Sequence, residues 1–169
     1  MTEKKMIVSG KKLSYNGPFN LKELYEIIES WIVKTGKYRE IKMKREHVHE
    51  HGKDIEYALE IYDNLHDKSK AIVKIRILIQ DLKKAKVKKG KTSRTVDFGN
   101  LLVIFDGFLE SEHHTSWENN PWYYAMRTFI DYFLLKHYDR RDDDLVEHRV
   151  NELYALLKDF FRTYKLQEE

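Results

Sequence analysis

From Asp54 to Asp63 the side chains alternate. Ile55, Tyr57, Leu59 and Ile61 fall on one side of an extended chain, and Glu56, Ala58, Glu60 and Tyr62 on the other. A period of two is the signature of a half-buried β-strand and argues against a helix here. The same pattern recurs over Lys70–Leu82, where Ala71, Val73, Ile75, Ile77 and Ile79 share a face. Thr95–Leu109 sets Leu101, Val103 and Phe105 against Leu102, Ile104 and Phe108. Tyr38–His51 is a more polar strand with Ile41, Met43 and Arg45 on one side. Gly52, the stretch Asn64–Lys68 and Lys89-Gly90 supply the turns between the four segments. Connections this short cannot cross over between parallel strands, so the strands are expected to run antiparallel in chain order.

Helices are expected before and after this meander. Asn20 is placed to cap the first, with Glu23 three residues on and Leu21, Leu24, Tyr25, Ile28, Trp31 and Ile32 on one face. Asn16-Gly17-Pro18 reads as a break ahead of it, and Lys5–Tyr15 as one or two short strands. Asn120-Pro121 opens a second helix, Pro121–Tyr138, which is apolar on nearly every side. A third is expected to start near Asp142-Asp143-Asp144, with Leu145, Val146, Val150, Leu153, Leu157, Phe160 and Phe161 among the residues of its buried stripe. The expected fold is α+β, a single domain over residues 1–169. It has an N-terminal helix, a four-stranded antiparallel meander with a long projecting basic hairpin, and two C-terminal helices packed on one face of the sheet.

Pairing Asp54 near Ile79 leaves about eight residues of each later strand projecting, an arm of roughly 25 Å. That arm carries Lys83, Lys84, Lys86, Lys88, Lys89, Lys91 and Arg94 with no acid among them. The whole chain has a net charge of only +3, so the positive charge is concentrated there. A basic hairpin is suited to phosphate contacts, with RNA or a ribonucleoprotein as the expected partner. The bland alternative is a solvated hairpin whose lysines protect its edges against aggregation. No aromatic residue lies between Lys83 and Arg94 to stack on a base.

His47, His49 and His51 alternate and would share one face of a strand at the same end of the sheet as the lysines. A His-x-His pair can bind a transition metal, but no further ligand is evident from the sequence, and the expectation is no metal site. His113 and His114 sit with acids and hydroxyls in the loop Glu110–Trp117, which matches no catalytic spacing. The aromatic helix is expected to be core. As a carrier it would line a ligand pocket through Trp122, Met126, Phe129 and Phe133, and as an interaction subunit it would face another chain. Arg149 interrupts the last buried stripe and needs a partner if it is buried.

The sequence has no cysteine, which excludes disulfides, thiolate metal sites and cysteine nucleophiles. No apolar stretch marks the N-terminus as a signal peptide, and charges break the longest apolar tract, so a cytoplasmic protein is expected. Abundant Lys, Glu and Ile beside only two Gln resemble thermophile composition. The functional expectation is a non-enzymatic module whose basic hairpin contacts a polyanion, with no cofactor. The alternatives are a small apolar-ligand carrier and a protein–protein interaction subunit.

Overall fold

The computed structural model describes residues 2–35, 37–66, 69–89, 92–112 and 136–165. In chain order they form β1 (Thr2–Phe19), α1 (Leu21–Lys34), β2 (Tyr38–His49), β3 (Gly52–His66), β4 (Ser69–Lys89), β5 (Thr92–Glu112) and α2 (Lys136–Lys165). The strands make one five-stranded antiparallel sheet in the order β1-β5-β4-β3-β2. The four strands of the meander thus lie in chain order. The expected architecture is corrected on three points: a fifth strand opens the chain ahead of α1, the last helix starts earlier, and a single C-terminal helix is described.

The fifth strand was hidden by irregularity. β1 pairs with β5 from Thr2↔Glu112 to Phe19↔Asp97, but its register shifts twice, between Met6 and Val8 and between Val8 and Lys11. Each shift breaks the period-two pattern that marks a strand. The apparent break at Asn16-Gly17-Pro18 lies inside the ladder, where Pro18 pairs with Phe98. β1 is an edge strand, where a proline is tolerated because one side of its backbone needs no ladder partner. Gly17 lets the chain close on itself here. Tyr15 Oη donates to the Pro18 carbonyl at 2.7 Å, and a Cβ at Gly17 would stand 2.9 Å from that hydroxyl oxygen.

Asn20 caps α1 as its sequence suggests, with its Oδ1 accepting from the backbone N–H groups of Lys22 and Glu23 at 3.0 and 3.3 Å. The final helix begins at Lys136, so Asp142 and Asp143 lie within it. Their carboxylates serve the sheet instead of the helix terminus. Asp142 accepts from Ser69 Oγ at 3.1 Å, and Asp143 pairs with Lys5 at 2.6 Å. Most of the aromatic helix expected over Pro121–Tyr138 lies outside the described residues, including Trp122, Met126, Phe129 and Phe133.

Both described helices pack on one face of the sheet. Leu24, Ile28, Trp31 and Ile32 of α1 and Val150, Leu153, Leu157, Phe160 and Phe161 of α2 share a single core with the inward side chains of the strands. β4 contributes Val73, Ile75, Ile77 and Ile79 to this core, all essentially inaccessible to water. Aromatic rings lock the α2 end of it: Phe161 stacks on Tyr15 at 4.6 Å and meets Phe19 edge-on at 6.1 Å. Phe105 and Phe19 have no exposed surface. Replacing either by Ala is expected to lower the unfolding free energy by about 3–5 kcal/mol, measured by urea denaturation.

Candidate polyanion interface

β3 stops at Gly52, and its last partner on β4 near this end is Leu82, opposite Lys53. Beyond that point β4 continues with β5, pairing Lys83–Lys89 with Thr92–Phe98, while β1 still pairs with β5 at Pro18↔Phe98 and Phe19↔Asp97. Only from Ala85↔Val96 outward are β4 and β5 without another neighbour, a two-stranded arm of roughly 17 Å, shorter than expected because β1 runs along its root. The turn at Gly52 lies at the same end of the sheet as the arm.

The aim of the arm's side chains depends on one residue. The β4–β5 register slips between Gln80 and Lys83, and within that slip Asp81 takes a left-handed backbone at φ 54°. A bulge of one residue reverses which face each later side chain occupies. Without it, Lys84 and Lys86 would project from the face opposite the helices. With it, Leu82 is buried among the core residues, and Lys84 and Lys86 follow on the helix side of the arm. Lys83 falls on the opposite face, directly across from Phe98.

Lys83, Lys84 and Lys86 are exposed, and none forms an ion pair among the described residues. Lys88, Lys89 and Arg94 are described in their backbone alone, and Lys91 lies outside the described residues. Elsewhere on the sheet some cations are paired. On the face away from the helices, Lys42 bonds Glu40 at 2.6 Å and lies 3.4 Å from Glu60, and Lys74 reaches the same Glu60 at 3.5 Å. Arg76 approaches Asp106 at 3.9 Å. Not every cation of the sheet is so matched: Lys12, Lys44, Arg45 and Lys70, like Lys83, Lys84 and Lys86, form no ion pair among the described residues.

At the root of the arm an open groove of about 410 Å³ runs between the start of α1 and the strands. It is lined by Asn20, Leu21, Lys22, Tyr25, Lys53, Leu82, Lys83, Lys84 and Asp97. Of its four lysines, Lys22 pairs with Glu26 at 3.4 Å and Lys53 with Glu46 at 2.7 Å, while Lys83 and Lys84 form no ion pair among the described residues. Asp97 Oδ2 accepts from the Leu21 backbone N–H at 3.1 Å, and Asn20 holds the next two N–H groups, so the helix terminus is internally satisfied. Any positive field in the groove therefore comes from its lysines and not from the helix end. Tyr25 is set edge-on against Tyr57, and desolvation, with Tyr57 and Glu46 beside it, pushes its hydroxyl up to about 12.

Phe98 is 42% exposed at the arm's root. Sequence reasoning missed it because it searched between Lys83 and Arg94, whereas the aromatic neighbour of Lys83 comes from across the hairpin. The histidines are partly as expected. His47 and His49 share a face of β2, with ring centroids 6.3 Å apart, but the strand ends at His49, and His51 lies in the following turn. β3 and the β4 bulge bring two carboxylates to this pair. His49 Nε2 lies 3.2 Å from Asp54 Oδ1 and 4.0 Å from Asp81 Oδ1. The Asp81 backbone N–H, donating to Asp54 at 3.0 Å, holds the Asp54 carboxyl below the usual carboxylate range, with His49 adding to the effect. His113 and His114 lie outside the described residues.

Two interior charges complete the survey. Arg149, anticipated to need a partner, has one: its Nε donates to Asp63 at 2.9 Å, and Glu152 lies 3.4 Å from its Nη1. Lys37, which sequence reasoning passed over, is almost wholly buried. Its ammonium sits 4.6 Å above the Trp31 ring and 3.6 Å from Asp63, with no hydrogen bond. Desolvation pulls its pKa below the ordinary lysine value of 10.5 despite Asp63. Compared with known proteins, the chain matches no family model, no curated protein and no solved structure.

The Lys37 site yields a pH signature. In the window between its lowered folded pKa and 10.5, the unfolded chain binds more protons than the folded one, so this group's contribution makes stability rise with pH. Lys37→Met keeps the stem over Trp31, removes the buried charge and leaves Asp63 with Arg149. It is expected to raise stability at neutral pH by about 1–2 kcal/mol. That advantage should shrink as pH climbs through the window, as followed by thermal melts of both proteins. Asp63→Asn, which leaves Arg149 and Lys37 without their carboxylate, is expected to cost about 2–3 kcal/mol in the same assay.

Proposed function

We propose that this protein is a non-enzymatic binding module that grips a polyanion, most simply single-stranded RNA, with the β4–β5 arm and the groove at its root. The observation that carries the reading is the concentration of lysines along the end of β4. Lys83 and Lys84 at the root of the arm and Lys86 on it form no ion pair among the described residues, and the run continues through Lys88 and Lys89 with no acid in it. Lys22 and Lys53, paired with Glu26 and Glu46, bring two further cations to the groove, which a phosphate can engage by displacing those carboxylates. A phosphate backbone laid along this path displaces counterions, which drives association without reading sequence. Phe98 lies beside Lys83 on the face opposite the groove, so its ring offers a π-face to an unstacked base of a single strand that wraps around the arm, which a duplex cannot do as readily.

Two experiments test this. Binding of single-stranded RNA, measured by fluorescence anisotropy over a salt series, is expected to give a log–log slope of roughly −0.7 per phosphate contact. The quadruple variant Lys22→Gln, Lys53→Gln, Lys84→Gln, Lys86→Gln should flatten that slope by about three units and leave the thermal melt cooperative. Absence of binding at low salt, or an unchanged slope, would remove the function and leave the lysines as edge protection. Phe98→Ala is expected to weaken single-stranded RNA binding by about 1–3 kcal/mol with the slope unchanged, and to leave duplex binding unaltered.

A further inference from the structure

The cluster on the face opposite the groove has a different chemistry. His47 and His49 come from β2, Asp54 from β3, and Asp81 from the β4 bulge. One ligand atom each from His49, Asp54 and Asp81 lies within 4.8 Å of the other two. His47 stands directly across the ladder from Asp54, on the same face as His49. We propose that these four side chains bind a divalent transition-metal ion of the zinc class.

The donor set suits that class. Two imidazole nitrogens and two carboxylate oxygens are borderline ligands, which favour zinc, cobalt or nickel over calcium or magnesium. In a tetrahedral site with bonds of 2.0–2.2 Å, neighbouring donors stand about 3.4 Å apart. The His49 nitrogen already lies 3.2 and 4.0 Å from the two carboxylate oxygens. An ion can therefore enter between them by side-chain adjustment, replacing the His49–Asp54 ion pair, while His47 turns about its χ angles to supply the fourth donor.

The backbone is arranged to make this meeting possible. Asp81 reaches the cluster from its left-handed bulge position, a conformation aspartate tolerates better than most residues. Gly52 lets the β2–β3 turn lie against that bulge. A Cβ there would stand 3.1 Å from both the Asp81 carbonyl carbon and the Leu82 carbonyl oxygen. A side chain at position 52 would be strained at this φ and would require the turn or the bulge to give way slightly. A bound ion would join three strands at one point, tying the edge strand β2 to the root of the arm. Metal binding is thus independent of the polyanion reading and survives its failure.

The test uses the full chain stripped of metal and titrated with zinc by calorimetry. Cobalt serves as a spectroscopic probe, because its visible bands intensify in tetrahedral coordination. The expected result is one ion per chain, an intense cobalt spectrum that zinc quenches, and a thermal midpoint that rises with zinc concentration. His49→Gln and Asp81→Asn should each weaken zinc affinity at least about tenfold, with unchanged circular dichroism. The control His113→Gln, His114→Gln should bind as the parent does. Three results would each overturn the site: no binding, binding that Asp81→Asn leaves intact, or binding lost in the His113/His114 control. The second would reduce it to a simple His-x-His chelate.

Discussion

Burial of the β4 inner ladder beneath two helices is the interaction on which the rest depends. Val73, Ile75, Ile77 and Ile79 run down the middle strand of the sheet and meet α1 and α2 in one continuous core. At about 25 cal/mol per Å² of apolar surface, a row of fully buried aliphatic side chains is the largest favourable contribution a chain of this size can assemble. Backbone pairing, helix docking and the placement of every charged group follow from keeping that ladder dry.

The ladder ends at Asp81, and so does the ordinary sheet. One extra residue in β4 lets Leu82 close the core, sends Lys84 and Lys86 to the helix side of the arm, and leaves Asp81 beside His49 and Asp54. A single bulge therefore separates two chemistries along adjacent residues of one strand. A basic groove lies on one face, and a histidine–carboxylate cluster lies on the other. Gly52 is the matching concession on the neighbouring turn, since only a residue without Cβ fits against the bulge.

Charge is distributed by the same logic. Where the sheet is broad, acids on neighbouring strands lie within reach of several cations, and Glu60 alone serves Lys42 and Lys74. Where β3 ends, a strand has one neighbour instead of two, and the lysines of the arm have no carboxylate across from them except Asp97, which the backbone of α1 already engages. The described helices are not long and apolar enough to cross a membrane.

Much of this was legible in the chain. Alternation over Ile55–Ile61 and Val73–Ile79 marked these strands, their dry face and their antiparallel order, because a slip by one residue would turn that face outward. Asn20 and the stripe after it determined α1. Only the tertiary structure decided the rest. β1 became the fifth strand because its pairing with β5 absorbs two irregularities and a proline that local pattern reads as a break. Asp142 and Asp143 became partners of the sheet, Phe98 a neighbour of Lys83, and Asp54 and Asp81 neighbours of His49. Each of these depends on which residue lies across a ladder or beneath a helix. Spacing along the chain carries no record of it once a bulge has shifted the register.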